Sequence, residues 1–411
     1  MTVLGGLKAA LLGSALLGSV LMLAAGTAQA EFTNNAIRIS VLTDLSSSYS
    51  ETSGQGSVVA AKLAVQDFGG TVNGVPVEII PVDHQNKADV GALAARQLID
   101  VNGADAFVDI SNSAVSLAVQ ELARNADKVV LHVGSATADL YGKACSPTGA
   151  LWLYDTYALA QGLARSIIAE GGDTWYFVTA DYAFGKAMEE AVRKILEAQG
   201  GRTLGSSRHP VNNTDYSSFM LQAQQSGAKI VGLANASGDT VNAIKQAGEF
   251  GITEGGQKLA ALIFYIQSAK SVGPELAQGL RFMTGYYWDR DDASRAFAKR
   301  FAAEMKGGMP SQAHAGIYSA VLHYLKAAAA TGSDAGTTVM AKMKELPVED
   351  FFAGRATLRE DGRLMKDMYL VEVKKPSEVT QPWDLLKVLR RMPADEIIRP
   401  LKDGGCPFVK S

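Results

Sequence analysis

The sequence predicts an α/β protein of two lobes, each a doubly wound parallel sheet, and three observations carry that expectation. From Ile37 short β-branched runs alternate with longer amphipathic ones, and the same rhythm restarts at Trp175. After the strand "GLRFMTGYYWD" the alternation gives way to paired helices and a hairpin. Successive β-α-β units require parallel strands, because a strand that re-enters its sheet in the same direction needs a long, right-handed crossover.

In order, "IRISVLTDL" reads as a strand, Gly54–Phe68 as a helix, "VPVEIIPVD" as a strand, Ala88–Val101 as a helix and "DAFVDI" as a strand. A helix from Ser113 and the strand "KVVLHVG" close the first run. The second run reads "WYFVTA", helix Ala183–Gln199, "KIVGLAN", helix Asp239–Phe250 and "LAALIF". Then come helices Asp292–Met305 and Ser311–Ala330, the second with Ile317, Val321, Tyr324, Leu325 and Ala328 on one face. The stretch "FFAGRATLREDGRLMKDMYLVEV" reads as a hairpin turning at Asp361-Gly362. Residues 376–411 are punctuated by proline and read as a tail strapped over the body.

The first thirty residues address the chain for export. Lys8 precedes the apolar run Ala9–Ala25, and Ala28-Gln29-Ala30 supplies the small-x-small cleavage pattern, so residues 1–30 read as a signal peptide cut after Ala30. That run is too short for a spanning helix, which needs about 20 apolar residues. A soluble, periplasmic mature protein is expected. Losing Lys8 takes the formal charge from −3 to −4, and no basic patch offers itself to nucleic acid or an anionic membrane. Cys145 and Cys406 are the only thiols; an even count in an exported chain favours one disulfide over a metal pair, since neither lies in a CxxC or near a histidine.

Enzyme chemistry finds little support. Gly54-x-Gly56 opens a helix and Asp83 ends the second strand, as in a dinucleotide fingerprint, but the nine-residue loop Leu45–Ser53 intervenes and Val59 stands in place of the third glycine. There is no GxSxG and no HExxH, and His84, His132, His209, His314 and His323 never pair at ligand spacing. No cofactor, metal or catalytic residue is expected. His132, inside an apolar strand, reads as a core residue.

Open α/β sheets place ligands at the carboxyl ends of their strands. There Ser111-Asn112-Ser113 and Gly134-Ser135-Ala136-Thr137 each combine backbone N–H groups at a helix start with hydroxyl or amide side chains, which suits an anion. Plain N-capping by Asn112 and Thr137 is the competing reading. Aromatic residues cluster nearby: Tyr182 and Phe184 in "TADYAFG", Tyr286, Tyr287 and Trp288 in "GYYWD", Trp152 and Tyr154 in "LWLYDTY". Three such clusters at strand tips and lobe crossings read as pocket walls.

The segments "IRISVLTDLSSSYSETSGQGSVVAAKLAVQDF", "NSAVSLAVQ", "GSATADL", "TADYAFGKAMEEAV" and "YYWD", in that order after a signal peptide, resemble the leucine/isoleucine/valine-type solute-binding proteins that feed ABC importers. The resemblance runs to about Lys374. It implies two lobes joined by a three-crossing hinge with a ligand cleft between them, permease subunits in the membrane as partners, and no enzymatic turnover. It further implies that a ligand carboxylate is held by Asn112-Ser113 and Ala136-Thr137, with Phe184 at the position of the family's stacking tyrosine. The glutamate that pairs an α-ammonium has no counterpart, because "ALIFYIQSAKS" contains no acid. A buried ammonium without a carboxylate would be costly unless Asp155, Asp181 or Asp239 substitutes.

The expected ligand is therefore a small carboxylate, an aromatic acid of the benzoate, cinnamate or arylpyruvate kind; branched-chain amino acids, or a periplasmic sensor role, are the alternatives. Family members dedicated to aromatic acids are similar in the "ACSPTG" and "YWD" regions. Ligand-binding candidates are Tyr49, Asn112, Ser113, Ser135, Ala136, Thr137, Tyr154, Asp155, Tyr182, Phe184, Asn235, Tyr265, Tyr287 and Trp288. Residues 31–153 and 285–343 are assigned to lobe 1, 154–284 and 344–375 to lobe 2, and 376–411 to a tail of a monomeric protein.

Overall fold

A computed structural model describes residues 1–6 and 32–409; the signal-peptide and cleavage-site expectations lie almost wholly outside the described residues. Ile37–Thr43 (β1) is buried along nearly its whole length, as suits a central parallel strand whose Ile37, Ile39, Val41 and Leu42 need cover. It sits in a six-stranded sheet ordered β2-β3-β1-β4-β5-β6, with β2 Thr71–Val72, β3 Val75–Asp83, β4 Ala106–Asp109, β5 Val129–His132 and β6 Gly149–Leu151. All neighbours are parallel except the short β2, which turns antiparallel onto β3.

The second lobe repeats the design with β7 Thr174–Ala180, β8 Arg202–His209, β9 Ile230–Ala234 and β10 Lys258–Ala261, ordered β10-β9-β7-β8 and all parallel. The helices predicted over 54–68, 88–101 and 183–199 form within one residue of those limits. β8 escaped the sequence reading: "RTLGSSRH" alternates exposed with half-buried or buried positions and has Leu204 as its one apolar side chain, as an edge strand facing water can.

The chain passes between the lobes three times. β6 leads into the first crossing at Leu153–Asp155; β11 (Arg281–Thr284) ends at the second, Gly285. The region predicted as one long hairpin divides. β12 (Val348–Asp350), β13 (Gly354–Leu358) and β14 (Leu364–Met365) form a small antiparallel sheet with Asp361-Gly362 at the turn, whereas β15 (Met368–Val373) departs to pair with β11 and with β16 (Leu386–Met392). The third crossing therefore falls at Lys366–Asp367, not near residue 344. Residues 348–365 attach to the first lobe: Gly362 O accepts from Leu151 N at 2.8 Å and Leu151 bridges Arg363, which covers the open edge of β6.

The tail runs from the second lobe to the first. β16 is sewn to β15, Ala394 N donates to Asp367 Oδ1 at 2.9 Å, Arg359 donates to Arg399 O at 3.0 Å, and Arg399 donates to Ala138 O at 3.0 Å. A Cys145–Cys406 disulfide ends it. Because that bond closes a loop over a separation of 261 residues, the double variant Cys145→Ser/Cys406→Ser should lose about 3–5 kcal/mol of stability, read by urea unfolding of the oxidised wild type beside the variant.

Candidate functional site

Asp44, at the end of β1, organises the loop that separates strand from helix. Its carboxylate accepts from the N–H groups of Ser47 (2.9 Å) and Tyr49 (3.0 Å) and from the Ser47 hydroxyl (2.5 Å). Asp83 ties down the start of the same loop, accepting from Leu45 N (3.0 Å) and the Ser46 hydroxyl (2.6 Å). Asp83 is thus a loop anchor, and the loop's purpose is to carry Tyr49 across to the second lobe. There its hydroxyl meets that of Tyr182 at 2.5 Å.

β4 ends in a backbone distortion. Asp109 (φ 78°) and Ile110 (φ 52°) both lie in the left-handed region, an unfavourable state for a β-branched residue, and this bend delivers Ser111-Asn112-Ser113 to the cleft. A Cβ on the facing Gly134 would come within 2.4 Å of Asp109 Oδ1 and 2.7 Å of Ser111 Cα, so only glycine fits. Ser113 then points its hydroxyl at the Gly134–Thr137 loop and accepts from Ala136 N (3.3 Å) and Thr137 N (3.2 Å).

From the second lobe, Tyr182 and Phe184 sit at the start of helix Ala183–Ala198 with ring centroids 5.9 Å apart. Tyr265 hydrogen-bonds Tyr154, whose hydroxyl also donates to Gly134 O at 3.0 Å. The resulting interlobe cavity is lined by Tyr49, Ser111, Ser113, Gly134, Ser135, Ala136, Tyr182, Phe184, Ala236, Ile263 and Tyr265, and encloses about 10 Å³, about the room of one water. The lobes are closed on it. Thr52 and Ser237 hydroxyls meet at 2.7 Å, Gly238 N donates to Ser48 O at 3.1 Å, and Gln267 donates to Met309 O at 2.8 Å.

Seven predicted residues line this cavity (Tyr49, Ser113, Ser135, Ala136, Tyr182, Phe184 and Tyr265), and Tyr154 reaches it through Tyr265. Six do not. Asn112 caps helix Ser113–Asn125, accepting from Ala114 N and Val115 N while donating to Asn86. Thr137 caps the next turn through Asp139 N, so its backbone N–H faces Ser113 while its hydroxyl is engaged locally. Asn235 is held by His209 and Thr240. Tyr287 and Trp288 pack under the tail, bonded to Asp384 (3.3 Å) and Trp383 O (2.8 Å).

Asp155 is buried in an ion pair: Oδ2 accepts from Arg363 Nε at 2.9 Å and Oδ1 from Ala158 N at 2.9 Å. The other two aspartates are also engaged, Asp181 on the surface with Lys186 and Asp239 by Asn212 N and Asn213 N. Sequence reasoning missed Ala236 and Ile263, which carry no chemical signal, and passed over Ser111 and Gly134 although both stand in the strand-end stretches it singled out. His132 is a core residue, its Nε2 2.8 Å from Gln120 Oε1 and its pKa depressed to about 3 by burial. A larger open concavity of about 670 Å³, lined in part by Ile230, Leu259 and Arg281, lies at the opposite, amino end of the second-lobe strands, away from the ligand end of such sheets.

Two parallel-sheet lobes closing on a cavity to which both contribute define a solute-binding protein of the type I periplasmic fold, in which the hinge converts binding into a change of shape. The chain matches the periplasmic binding protein family over residues 36–378 and belongs to it. It is similar to a periplasmic binding protein from Burkholderia mallei (46% identity, TM-score 0.89, 92% of this chain and 100% of that one). A branched chain amino acid ABC transporter periplasmic ligand-binding protein from Burkholderia xenovorans LB400 is 38% identical (TM-score 0.79, 90% and 99% covered). An R. palustris ABC transporter solute-binding protein solved with benzoate shares the fold at 19% identity (TM-score 0.78, 90% and 99% covered). No curated protein sequence matches the chain. The protein is the periplasmic solute-binding component of an ABC transporter, with a small-molecule ligand and membrane permease partners, and not an enzyme. Among the described residues no helix is long and apolar enough to cross a membrane.

Two changes test this assignment of roles. Arg363→Met should cost about 3–5 kcal/mol by stranding the Asp155 carboxylate, and Asp155→Asn/Arg363→Met should recover part of that loss in urea unfolding. Burial raises the Asp109 carboxyl from 3.8 to about 6, and its Oδ1 has no hydrogen-bond partner. Between about pH 4 and 6 the unfolded chain loses this proton while the folded protein retains it, so Asp109 contributes less stability as pH rises through that window. The stability of Asp109→Asn relative to wild type should accordingly increase by about 2–3 kcal/mol from pH 4 to pH 7.

Proposed function

We propose that the cleft captures a small monocarboxylate with an apolar or aromatic body, of the benzoate or arylpyruvate kind, and that hinge closure presents the loaded protein to the permease. The observation that carries this reading is the chemistry of the lining. Hydroxyls of Ser111, Ser113, Tyr49, Tyr182 and Tyr265 and the amide of Ala136 provide donors for a carboxylate, with the Thr137 amide just behind them on Ser113 Oγ, while among the described residues no charged side chain lines the cavity. An α-ammonium would be buried without a carboxylate, since Asp155, Asp181 and Asp239 are each engaged elsewhere.

Ligand entry would begin on the first lobe, where a carboxylate can share the two amides with the Ser113 hydroxyl. Closure would then bring Tyr182, Phe184 and Tyr265 onto the ligand body, contacts that only the closed form offers. The tyrosine hydroxyls that now meet across the cleft would separate to admit it. The chain is proposed to work as a monomer.

Similarity to the branched chain amino acid ABC transporter ligand-binding protein of Burkholderia xenovorans LB400 favours a second reading, a branched-chain amino acid. Titration calorimetry with benzoate, phenylpyruvate and leucine separates the two. Micromolar binding of the aromatic acids, about −8 kcal/mol, is expected, with decarboxylated analogues at least tenfold weaker. Ser113→Ala should cost about 1–3 kcal/mol and Phe184→Ala should weaken aromatic more than aliphatic acids. Tight leucine binding with no response to the aromatic acids would overturn the proposal.

A further inference from the structure

The hinge buries a lysine that, among the described residues, has no carboxylate within ion-pair distance. Gly285, on the second crossing, is where all three crossings meet: a Cβ there would lie 2.5 Å from Leu153 Cδ1 of the first and 3.4 Å from Lys366 Nζ of the third. Lys366 is 3% exposed and donates to Gly285 O and Asp367 O, each at 2.8 Å, with its ammonium 4.3 Å from the centre of the Phe352 ring. Carbonyls and a ring face solvate an ammonium without balancing it. Among the described residues no carboxylate oxygen comes within 4.0 Å of Nζ.

Lys366 lines a polar cavity of about 320 Å³ open to solvent, together with Arg290, Arg355, Arg391, Asp291 and Asp367. The other cations are matched: Arg290 with Asp291 at 2.8 Å, Arg391 with Asp367, and Arg355 with Glu349 at 3.3 Å. One basic group is left without a carboxylate, and it is the buried one. A buried ion without a partner costs several kcal/mol, and an ion drawn from solvent into an adjoining cavity removes that cost.

We infer that this hinge cavity is an oxyanion site, in which a small multivalent oxyanion of the phosphate class acts as counter-ion to Lys366 with the Arg391 and Arg290 guanidiniums around it. The site draws on both lobes, Phe352 and Arg355 from the first and Arg391 from the second, so its occupancy acts on the hinge whichever ligand the cleft takes. Burial, reinforced by Arg290 and Arg363 and opposed by Asp367 and Asp350, lowers Lys366 to about 7. An anion beside it favours the ammonium, so binding near neutral pH takes up a proton and weakens as pH rises.

The test is calorimetric titration of the mature protein with inorganic phosphate against sodium chloride at equal ionic strength, at pH 7.5 in two buffers of different ionisation enthalpy. One saturable site with proton uptake is expected, at least tenfold weaker in Lys366→Met and in Arg391→Gln. NMR of ¹³Cε-labelled lysines should show one resonance that titrates near pH 7 and shifts to higher pH with phosphate. Arg391 is exposed, so Arg391→Gln and the lysine titration keep the test intact should Lys366→Met fail to fold. Heats no different from chloride overturn the inference, as does saturable binding that Arg391→Gln leaves unchanged, which would place phosphate in the interlobe cleft or elsewhere.

Discussion

Arg363 is the side chain on which the two-lobed arrangement depends. Fully buried, it donates to Asp155 Oδ2 at 2.9 Å, Leu364 O at 3.0 Å, and Leu151 O and Leu153 O at 3.3 Å each. One guanidinium thereby fastens the end of β6, the whole first crossing and the approach to the third. Its planar fork of donors suits that task as no ammonium could. Asp155, paired to it, caps the helix that opens the second lobe, so the position of that lobe is referred to the same pair. Burying two charges is costly; the hydrogen bonds that both groups make, four from Arg363 and one more to Asp155 from Ala158 N, make it sustainable and make the geometry specific.

From this anchor the cleft inherits its shape. Strand ends must terminate somewhere, and the open helix starts that follow them need capping. Asn112 and Thr137 meet that need locally, which leaves Ser111, Ser113 and the Gly134–Ala136 segment as the first-lobe strand-end groups facing the cavity. Caps and ligand contacts compete for the same residue types, and a side chain engaged in one is lost to the other. The second lobe contributes aromatic rings and hydroxyls, and Tyr49, on the Asp44-organised loop, completes the ring of contacts from the first.

The tail adds a fourth connection to the three crossings. Its strand belongs to the second lobe, its turn at Ala394 touches the third crossing, and its disulfide ends on the first lobe. Opening of the cleft must therefore be accommodated by residues 393–405 as well as by the hinge. The Lys366 cavity borders the tail strand through Arg391. Hinge, tail and buried lysine thus form one mechanical unit distinct from the cleft.

Much of this was legible in the sequence, because local rules decide it. Hydrophobic periodicity placed β1, β3 and the helices over 54–68 and 183–199 nearly residue by residue, since a short β-branched run and an amphipathic helix leave distinct patterns. Two lone cysteines in an exported chain sufficed for the disulfide. Half of the candidate ligand residues line the cavity because strand ends in open sheets are where ligands go, a rule of topology readable from the order of elements. Tertiary structure alone decided the rest. Asp155 reads as a free carboxylate until Arg363, distant along the chain, is folded onto it; Tyr287 and Trp288 read as pocket walls until the tail covers them. The edge of β6 drew residues 348–365 into the first lobe, a matter of unpaired backbone groups finding partners and not of any local pattern. A side chain's chemistry is written in its own residue, but its availability depends on which partners the fold brings within hydrogen-bonding distance, and those partners are distant in sequence.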